Sequence, residues 1–285
     1  MCKELFTETC DLHAHSTYSD GSDTPSELAR LAVEQGLSAI ALTDHNSIRG
    51  LSEFTSFDSG GRVELIGGIE FSTDYGKTEL HIIALGVRPE HYEAITERVE
   101  VMLESKRRAN ELLIARLIEG GYAIDTGRMR EGCLGDINRA HIATELVRCG
   151  YATDRGDAFA RILNKGGRFY TEPKRLDVFE TISFIKSLGL CAILAHPLLN
   201  LTRGELEVFL PLAKERGLDA MECIYSEYTE DDTRYSFELI KKHGLLPSGG
   251  SDYHGKNKPT IKLGRGIDNI SIPLSVWNDL TEKIK

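Results

Sequence analysis

The sequence predicts an α/β fold: a mostly parallel sheet or barrel covered by helices and interrupted by a helical insertion. Three observations point to it. Strand-like and helix-like segments alternate at both ends of the 285-residue chain, which is the pattern of parallel sheets with helical crossovers. Two strands before residue 88 are joined by too few residues for a crossover helix. Some seventy residues in the middle then carry helical periodicity and no convincing strand.

In order, TCDLHAHS reads as a short strand, and PSELARLAVEQG as a helix with Pro25 in its first turn and Gly36 just past its end. LSAIALTDHN and, after a loop, VELIGGIEFS read as strands. TDYGK supplies turn residues before the strand ELHIIALGV, so these last two should form a hairpin. Residues 90 to 120 form a long helical stretch, and NRAHIATELVRCG and GDAFARILNKGG read as two further helices with glycine stops. From Leu176 the alternation returns: a helix to Gly189, the strand LCAILAHP, a helix to Gly217, the strand LDAMECIY, a helix to Gly244 and the strand LLPSGGSDYH. The expected division is therefore 1–98 and 174–285 for the two parts of the barrel, with 99–173 as the insertion. Trp277, the single tryptophan, is expected to pack a last helix.

Composition bounds the function. A hydrophobic share of 41% with 27% charged residues is that of an ordinary globular protein. No apolar run has the length of a transmembrane helix, and the acidic start lacks the pattern of a secretion signal, so the expected location is the cytoplasm. Six scattered cysteines without CxxC spacing suggest free thiols, with Cys191 and Cys223 as small core residues. A net charge of −10 argues against a protein that coats DNA. Residues 99 to 175 nevertheless carry 14 basic against 11 acidic residues, a net of +3, leaving −13 elsewhere. Paired glycines occur without a GxGxxG or Walker pattern, so no nucleotide cofactor is implied.

Histidines carry the chemical signal. Six of the nine, His13, His15, His45, His81, His196 and His254, fall at or beside the ends of expected strands. A lone histidine there is most often a hydrogen-bonded structural residue; six at corresponding ends ask for a common purpose. Asp20, Asp44, Glu70 and Asp252 accompany them. In parallel α/β architectures such groups meet at the carboxyl ends of strands. Strand alternation would turn His13 with His15, and Asp252 with His254, each toward one point. Imidazole and carboxylate ligands without thiolate suit manganese, zinc or iron. Nine candidates, His13, His15, Asp20, His45, Glu70, His81, His196, Asp252 and His254, exceed what one ion takes, so two or three ions are implied, with Glu70 able to bridge a pair. Asp44 is expected to orient a neighbouring ligand or cap the next helix.

DLHAHSTYSDG, LTDHN, GIEFS, the histidine of ELHIIALG, AHP and GSDYH together resemble the motif set of the polymerase and histidinol phosphatase (PHP) superfamily, across residues 11 to 254. The resemblance implies a distorted (β/α)7-type PHP barrel with an inserted helical domain, and all nine positions match the ligands of its trinuclear members. It also implies an allotment: His13, His15, Glu70 and Asp252 to a first ion; Glu70, His81 and His196 to a second; Asp20, His45 and His254 to a third. Manganese is the preferred ion, with zinc, iron(II) and magnesium as alternatives. Two ions close together acidify a water between them and neutralise phosphate oxygens, so the expected chemistry is hydrolysis of a phosphate ester.

The insertion segment NRAHIATELVRCGY…AFARILNKGGRFYTEP resembles that of the branch acting on nucleoside 3′,5′-bisphosphates and on the 5′ end of short RNA. That branch implies removal of one phosphate to leave a nucleoside 5′-monophosphate, with 5′–3′ exoribonuclease action as a related activity. Arg139 and His141 lie in NRAHIA, which departs from the family's RPHIA by alanine at 140. Lys165 between helix end and glycines, Arg107, Arg108 and Tyr170 complete the expected substrate contacts, with Tyr170 and Phe169 weighed for base stacking. Two other readings stand beside this one: a phosphatase for another small monoester such as histidinol phosphate, and a non-catalytic metal-binding module.

Overall fold

The computed structural model describes residues 8–130, 137–267 and 270–285; Cys2 and Cys133 lie outside them. By contacts the chain divides into two compact units, one of residues 1–96 with 176–285 and one of residues 97–175.

In the first unit the strands are β1 (Thr9–Asp11), β2 (Ala39–Leu42), β3 (Glu64–Tyr75) and β4 (Thr78–Leu85), with helices α1 (Pro25–Gln35) and α2 (Leu51–Thr55) between them. The second unit takes in most of α3 (Tyr92–Glu119), then α4 (Thr126–Arg130), α5 (Arg139–Arg148) and α6 (Arg155–Arg161). The first unit resumes with β5 (Leu176–Asp177), α7 (Val178–Ser187), β6 (Cys191–Ala195), α8 (Arg203–Glu215), β7 (Ala220–Tyr225), α9 (Glu230–His243), β8 (Leu246–Gly250), β9 (Ile272–Pro273) and α10 (Leu274–Thr281).

One nine-stranded sheet runs β8-β7-β6-β4-β3-β2-β1-β9, with β5 beside β3. All neighbours are parallel except β4, antiparallel to both β3 and β6, and β9, antiparallel to β1. The two ends of this order meet, because Leu12 donates to the Gly249 carbonyl at 3.3 Å, Asp252 to that of His13 and His15 to that of Tyr253, both at 2.9 Å. The sheet is a nearly closed barrel, the distorted (β/α)7-type form. Gly250 permits the closure: a Cβ there would sit 2.1 Å from the His13 Cβ.

Alternation along the strands fills the barrel with Cys10, Leu12, Ala39, Ala41, Ile66, Ile83, Leu85, Cys191 and Ile193. Against this layer pack Val276, Trp277 and Leu280 of α10, and the Trp277 indole donates to Glu64 at the start of β3. The amino ends of the parallel strands are thus sealed by apolar packing, and polar side chains are left to the carboxyl ends. The first helix begins where the sequence predicts it. Thr24 and Glu27 form a capping box ahead of Pro25, and Gly36 ends α1 in the left-handed conformation.

Several expectations needed correction. β3 runs through TDY to Tyr75, so the hairpin turn is only Gly76 and Lys77, and Glu70 lies inside the strand rather than at its end. The loop after β2 contains the short helix α2. β1 stops at Asp11 and β8 at Gly250, so neither pair of ligand-type residues lies on a regular strand. Asp252 has a φ of 57°, which breaks the alternation invoked for Asp252 and His254.

The second unit has its own core of Leu113, Leu117, Met129, Ile142, Leu146 and Leu163. Glu145 of α5 is 4% exposed and accepts from Arg148 at 2.8 and 2.7 Å, from Arg128 at 3.1 Å and from the Asp125 backbone at 2.9 Å. Those donors, Arg148 first, hold its carboxyl down at about 2. A depressed carboxylate stabilises the fold above its unfolded value near 4.5 and ceases to do so as the pH falls toward 2. Glu145→Gln should therefore lower stability by about 1–3 kcal/mol at pH 7, and the difference from wild type should shrink below pH 4 in denaturant titrations; a pH-independent difference would contradict this role.

Candidate metal centre

Glu70 organises the site. It lies on β3 beside the β4 strand, where Ser72 pairs with His81, so His81 is its diagonal neighbour on the same face. Because β4 is antiparallel, the beginning of that strand falls at the carboxyl end of its neighbours. Glu70 Oε1 lies 2.8 Å from His81 Nδ1 and 3.0 Å from His196 Nε2, while Oε2 lies 3.3 Å from both His13 and His15 Nε2 and 2.8 Å from His45 Nδ1. His13 and His15 face each other through Nε2 at 3.0 Å, and Asp252 Oδ1 is 3.4 and 3.1 Å from them. Asp20 reaches His254 at 3.2 Å, His15 at 3.7 Å and His45 at 3.9 Å.

All nine expected ligand residues come together in four overlapping groups: His13, Glu70 and His196; His13, His15 and Asp252; His45, Glu70 and His81; and His15, Asp20, His45 and His254. In each, the nearest ligand-type atoms lie within 4.8 Å of one another. The first two groups are buried; the last opens outward, with the Asp20 side chain 48% and that of His45 25% exposed.

The donor set fits divalent ions. His45 Nδ1, Glu70 Oε2 and His196 Nδ1 are buried with no hydrogen-bond partner, although the first two stand 2.8 Å apart. Buried polar atoms are rarely left so. Two imidazole nitrogens pointing at one another, as in His13 and His15, likewise converge their lone pairs on a shared point.

The centre is strongly polarised. Burial by itself would raise Glu70, but His45, His81 and His13 outweigh it and hold the carboxyl well below the usual carboxylate range. Burial would lower His81, yet Glu70 and Glu79 push it up to about 10. His13 is also raised, by Glu70, Glu222 and Asp252 against its burial, whereas burial beside His45 pushes His15 down to about 3. Asp252 is held low by His13, His15 and Lys258 against its burial.

Asp44 does not touch these groups' metal-facing atoms. It accepts from the Ser16 backbone at 2.7 Å and from the Ser16 and Ser19 hydroxyls at 2.6 Å, and so sets the loop that carries Asp20. Burial raises its carboxyl although these donors oppose the rise.

Four residues that support the site were not singled out from the sequence. Glu222 of β7 is fully buried; its Oε1 lies 2.9 Å from His13 Nδ1 and its Oε2 accepts the His196 backbone N–H at 2.7 Å. Asp11 accepts from Ser251 and Gly264 and ties β1 to the segment after β8. Tyr225 donates to Asp252 Oδ2 at 2.9 Å, and Asn46 exchanges two hydrogen bonds with Ser72 near Glu70. Glu222 had a legible signal, a lone acid inside the apolar strand AMECIY.

The expected substrate contacts lie in the second unit. The Arg139 guanidinium sits over the Phe159 and Tyr170 rings at 5.1 and 5.0 Å and donates to the Leu163 carbonyl at 2.9 Å. One face of Tyr170 is thereby taken by a cation. His141 closes a capping box, its Nδ1 accepting from Asn138 at 3.1 Å. Arg107 pairs with Glu100 at 3.6 Å and Arg108 with Glu104 at 4.0 Å; Lys165 is exposed in the turn after α6.

A barrel whose carboxyl end gathers nine imidazoles and carboxylates defines a metal-dependent hydrolase. The PHP domain model matches residues 11–166, and the chain belongs to the PHP family. It is 31% identical to a 5′-3′ exoribonuclease of Haemophilus influenzae, covering 95% of this chain and 98% of that one. It is 33% identical to a phosphoribosyl 1,2-cyclic phosphate 1,2-diphosphodiesterase of Eggerthella lenta (86% and 94%), and 28% identical to a 3′,5′-nucleoside bisphosphate phosphatase of Chromobacterium violaceum (96% and 97%). A solved structure from Bifidobacterium adolescentis, provisionally assigned as a metal-dependent phosphoesterase, superposes with a TM-score of 0.82 at 25% identity, over 98% and 97% of the two chains. The protein is a PHP-family phosphoesterase. No described helix is long and apolar enough to cross a membrane.

Because Glu222 fixes one candidate ligand by its ring and another by its backbone, Glu222→Gln should lower metal affinity about ten- to hundredfold with an unchanged circular dichroism spectrum. Manganese titration checks this; wild-type affinity in the variant would contradict it.

Proposed function

We propose that the protein removes a phosphate from a small nucleotide, converting a nucleoside 3′,5′-bisphosphate to the 5′-monophosphate, and also trims short RNA from its 5′ end. The convergence of nine ligand-type residues in four overlapping groups, with five histidines on the two oxygens of Glu70, carries the phosphoesterase chemistry. The near full-length relatives named for bisphosphate and RNA hydrolysis support the substrate class, as does the NRAHIA segment.

In this reading His13, His15, Glu70 and Asp252 hold one divalent ion, Glu70, His81 and His196 a second, and Asp20, His45 and His254 a third, with manganese preferred. Bound there, such ions supply charge for phosphate oxygens and an acidified water at neutral pH. The chain's own part is to hold the donors. Glu70, buried and anionic, spans the groups; Glu222 keeps the His13 ring oriented; Asp44 fixes the loop that carries the half-exposed Asp20. Arg139, His141, Lys165, Arg107, Arg108 and Tyr170 are the proposed contacts for the rest of the nucleotide, with Arg139 presented as a rigid cation by its two flanking rings.

Assays with manganese, comparing adenosine 3′,5′-bisphosphate, histidinol phosphate and a ribose 1,2-cyclic phosphate, test the substrate class. The bisphosphate should be preferred by about tenfold or more in kcat/KM, a difference of one or more charge-assisted contacts; equal rates on all three would reject it. Asp252→Asn should cost at least about a hundredfold in kcat while the fold persists, and an undiminished kcat would reject the metal chemistry.

A further inference from the structure

We propose that Lys258 is a substrate contact: its ammonium binds a phosphate oxygen beside Asp252, so that the barrel supplies a cation of its own to the scissile phosphate. The inference rests on reading the centre as a phosphoesterase site.

Lys258 follows the short turn Gly255–Asn257 that succeeds His254. Its Nζ lies 2.7 Å from Asp252 Oδ2, and its side chain is 38% exposed, against 6% for Asp252. The geometry separates it from a simple counterion. Asp252 already has both oxygens engaged without the lysine, since Oδ1 faces His13 and His15 while Oδ2 accepts from Tyr225 at 2.9 Å. An ammonium has three donors and spends one on Asp252. The side chain is partly exposed, and the other two donors remain for a further acceptor beside Asp252.

The position is also preorganised. Lys256 N–H donates to the Ser22 hydroxyl at 2.8 Å, Asn257 Nδ2 to the Asp20 carbonyl at 2.8 Å, and the Tyr253 hydroxyl to Asp23 at 2.7 Å. Ile261 N–H donates to the Lys258 carbonyl at 3.0 Å. The turn bearing Lys258 is thereby tied to the loop bearing Asp20, so the cation and the open group of His15, Asp20, His45 and His254 are placed by one connected backbone. A lysine held in this way acts as a point charge for phosphate.

The test uses the full chain loaded with manganese and inorganic phosphate as the probe. Calorimetry compares wild type, Lys258→Met and Lys258→Arg, and elemental analysis gives bound manganese for each. Lys258→Met should weaken phosphate binding about ten- to hundredfold, the loss of one hydrogen bond from a charged donor, with manganese content unchanged, and Lys258→Arg should recover most of it. In turnover, KM should rise more than kcat falls. Wild-type phosphate affinity in Lys258→Met would overturn the inference. So would loss of manganese from that variant, which would make the lysine a support for Asp252 alone. Phosphate binding needs no turnover, so a wild type inert toward every nucleotide would defeat the proposed function and leave this test standing.

Discussion

A single buried carboxylate sets the terms of this structure. Glu70 has no exposure to solvent, and five histidines from four different parts of the barrel approach its two oxygens. An isolated charge in that position would be strongly disfavoured by desolvation. It persists because imidazoles surround it, and they can surround it only if β1, β2, β4 and β6 bring their ends to β3. The antiparallel course of β4 follows from the same demand: a two-residue turn returns the chain immediately and sets His81 on the same face as Glu70.

Holding so many polar groups at one point strains the backbone. Asn46, His196 and Asp252 are the non-glycine residues with positive φ among those described, at 50°, 29° and 57°. Each such conformation costs about 1–3 kcal/mol, and each belongs to the site or to its support. Hydrogen bonds offset the cost locally: Glu222 takes the His196 N–H, and the His13 carbonyl takes that of Asp252. The apolar plug of α10 at the opposite end lets the barrel tolerate a polar, strained carboxyl end, because packing there does not depend on the site.

Much of this was legible in the sequence, and the limits have physical causes. Alternating strands and helices, the hairpin and the helical insertion could be read because periodicity and glycine stops are local signals. The nine ligand-type residues could be read because their types recur at strand ends. The course of β3 through TDY was missed because turn-forming residues also tolerate an extended strand when a neighbouring strand pairs with them. Glu222, Asp11 and Tyr225 were missed because their partners are remote: Glu222 meets a histidine 209 positions away and Asp11 a serine 240 positions away. No spacing rule reports such contacts. His141 shows the converse, a residue whose motif suggests recognition and whose ring also caps its own helix.

Anomalous diffraction from crystals of the manganese-loaded protein measures the central claim most directly. The account predicts two or three peaks bounded by the nine residues, with both oxygens of Glu70 within coordination distance of ions. Peaks confined to other surfaces, or a Glu70 carboxylate touching no ion, would contradict it.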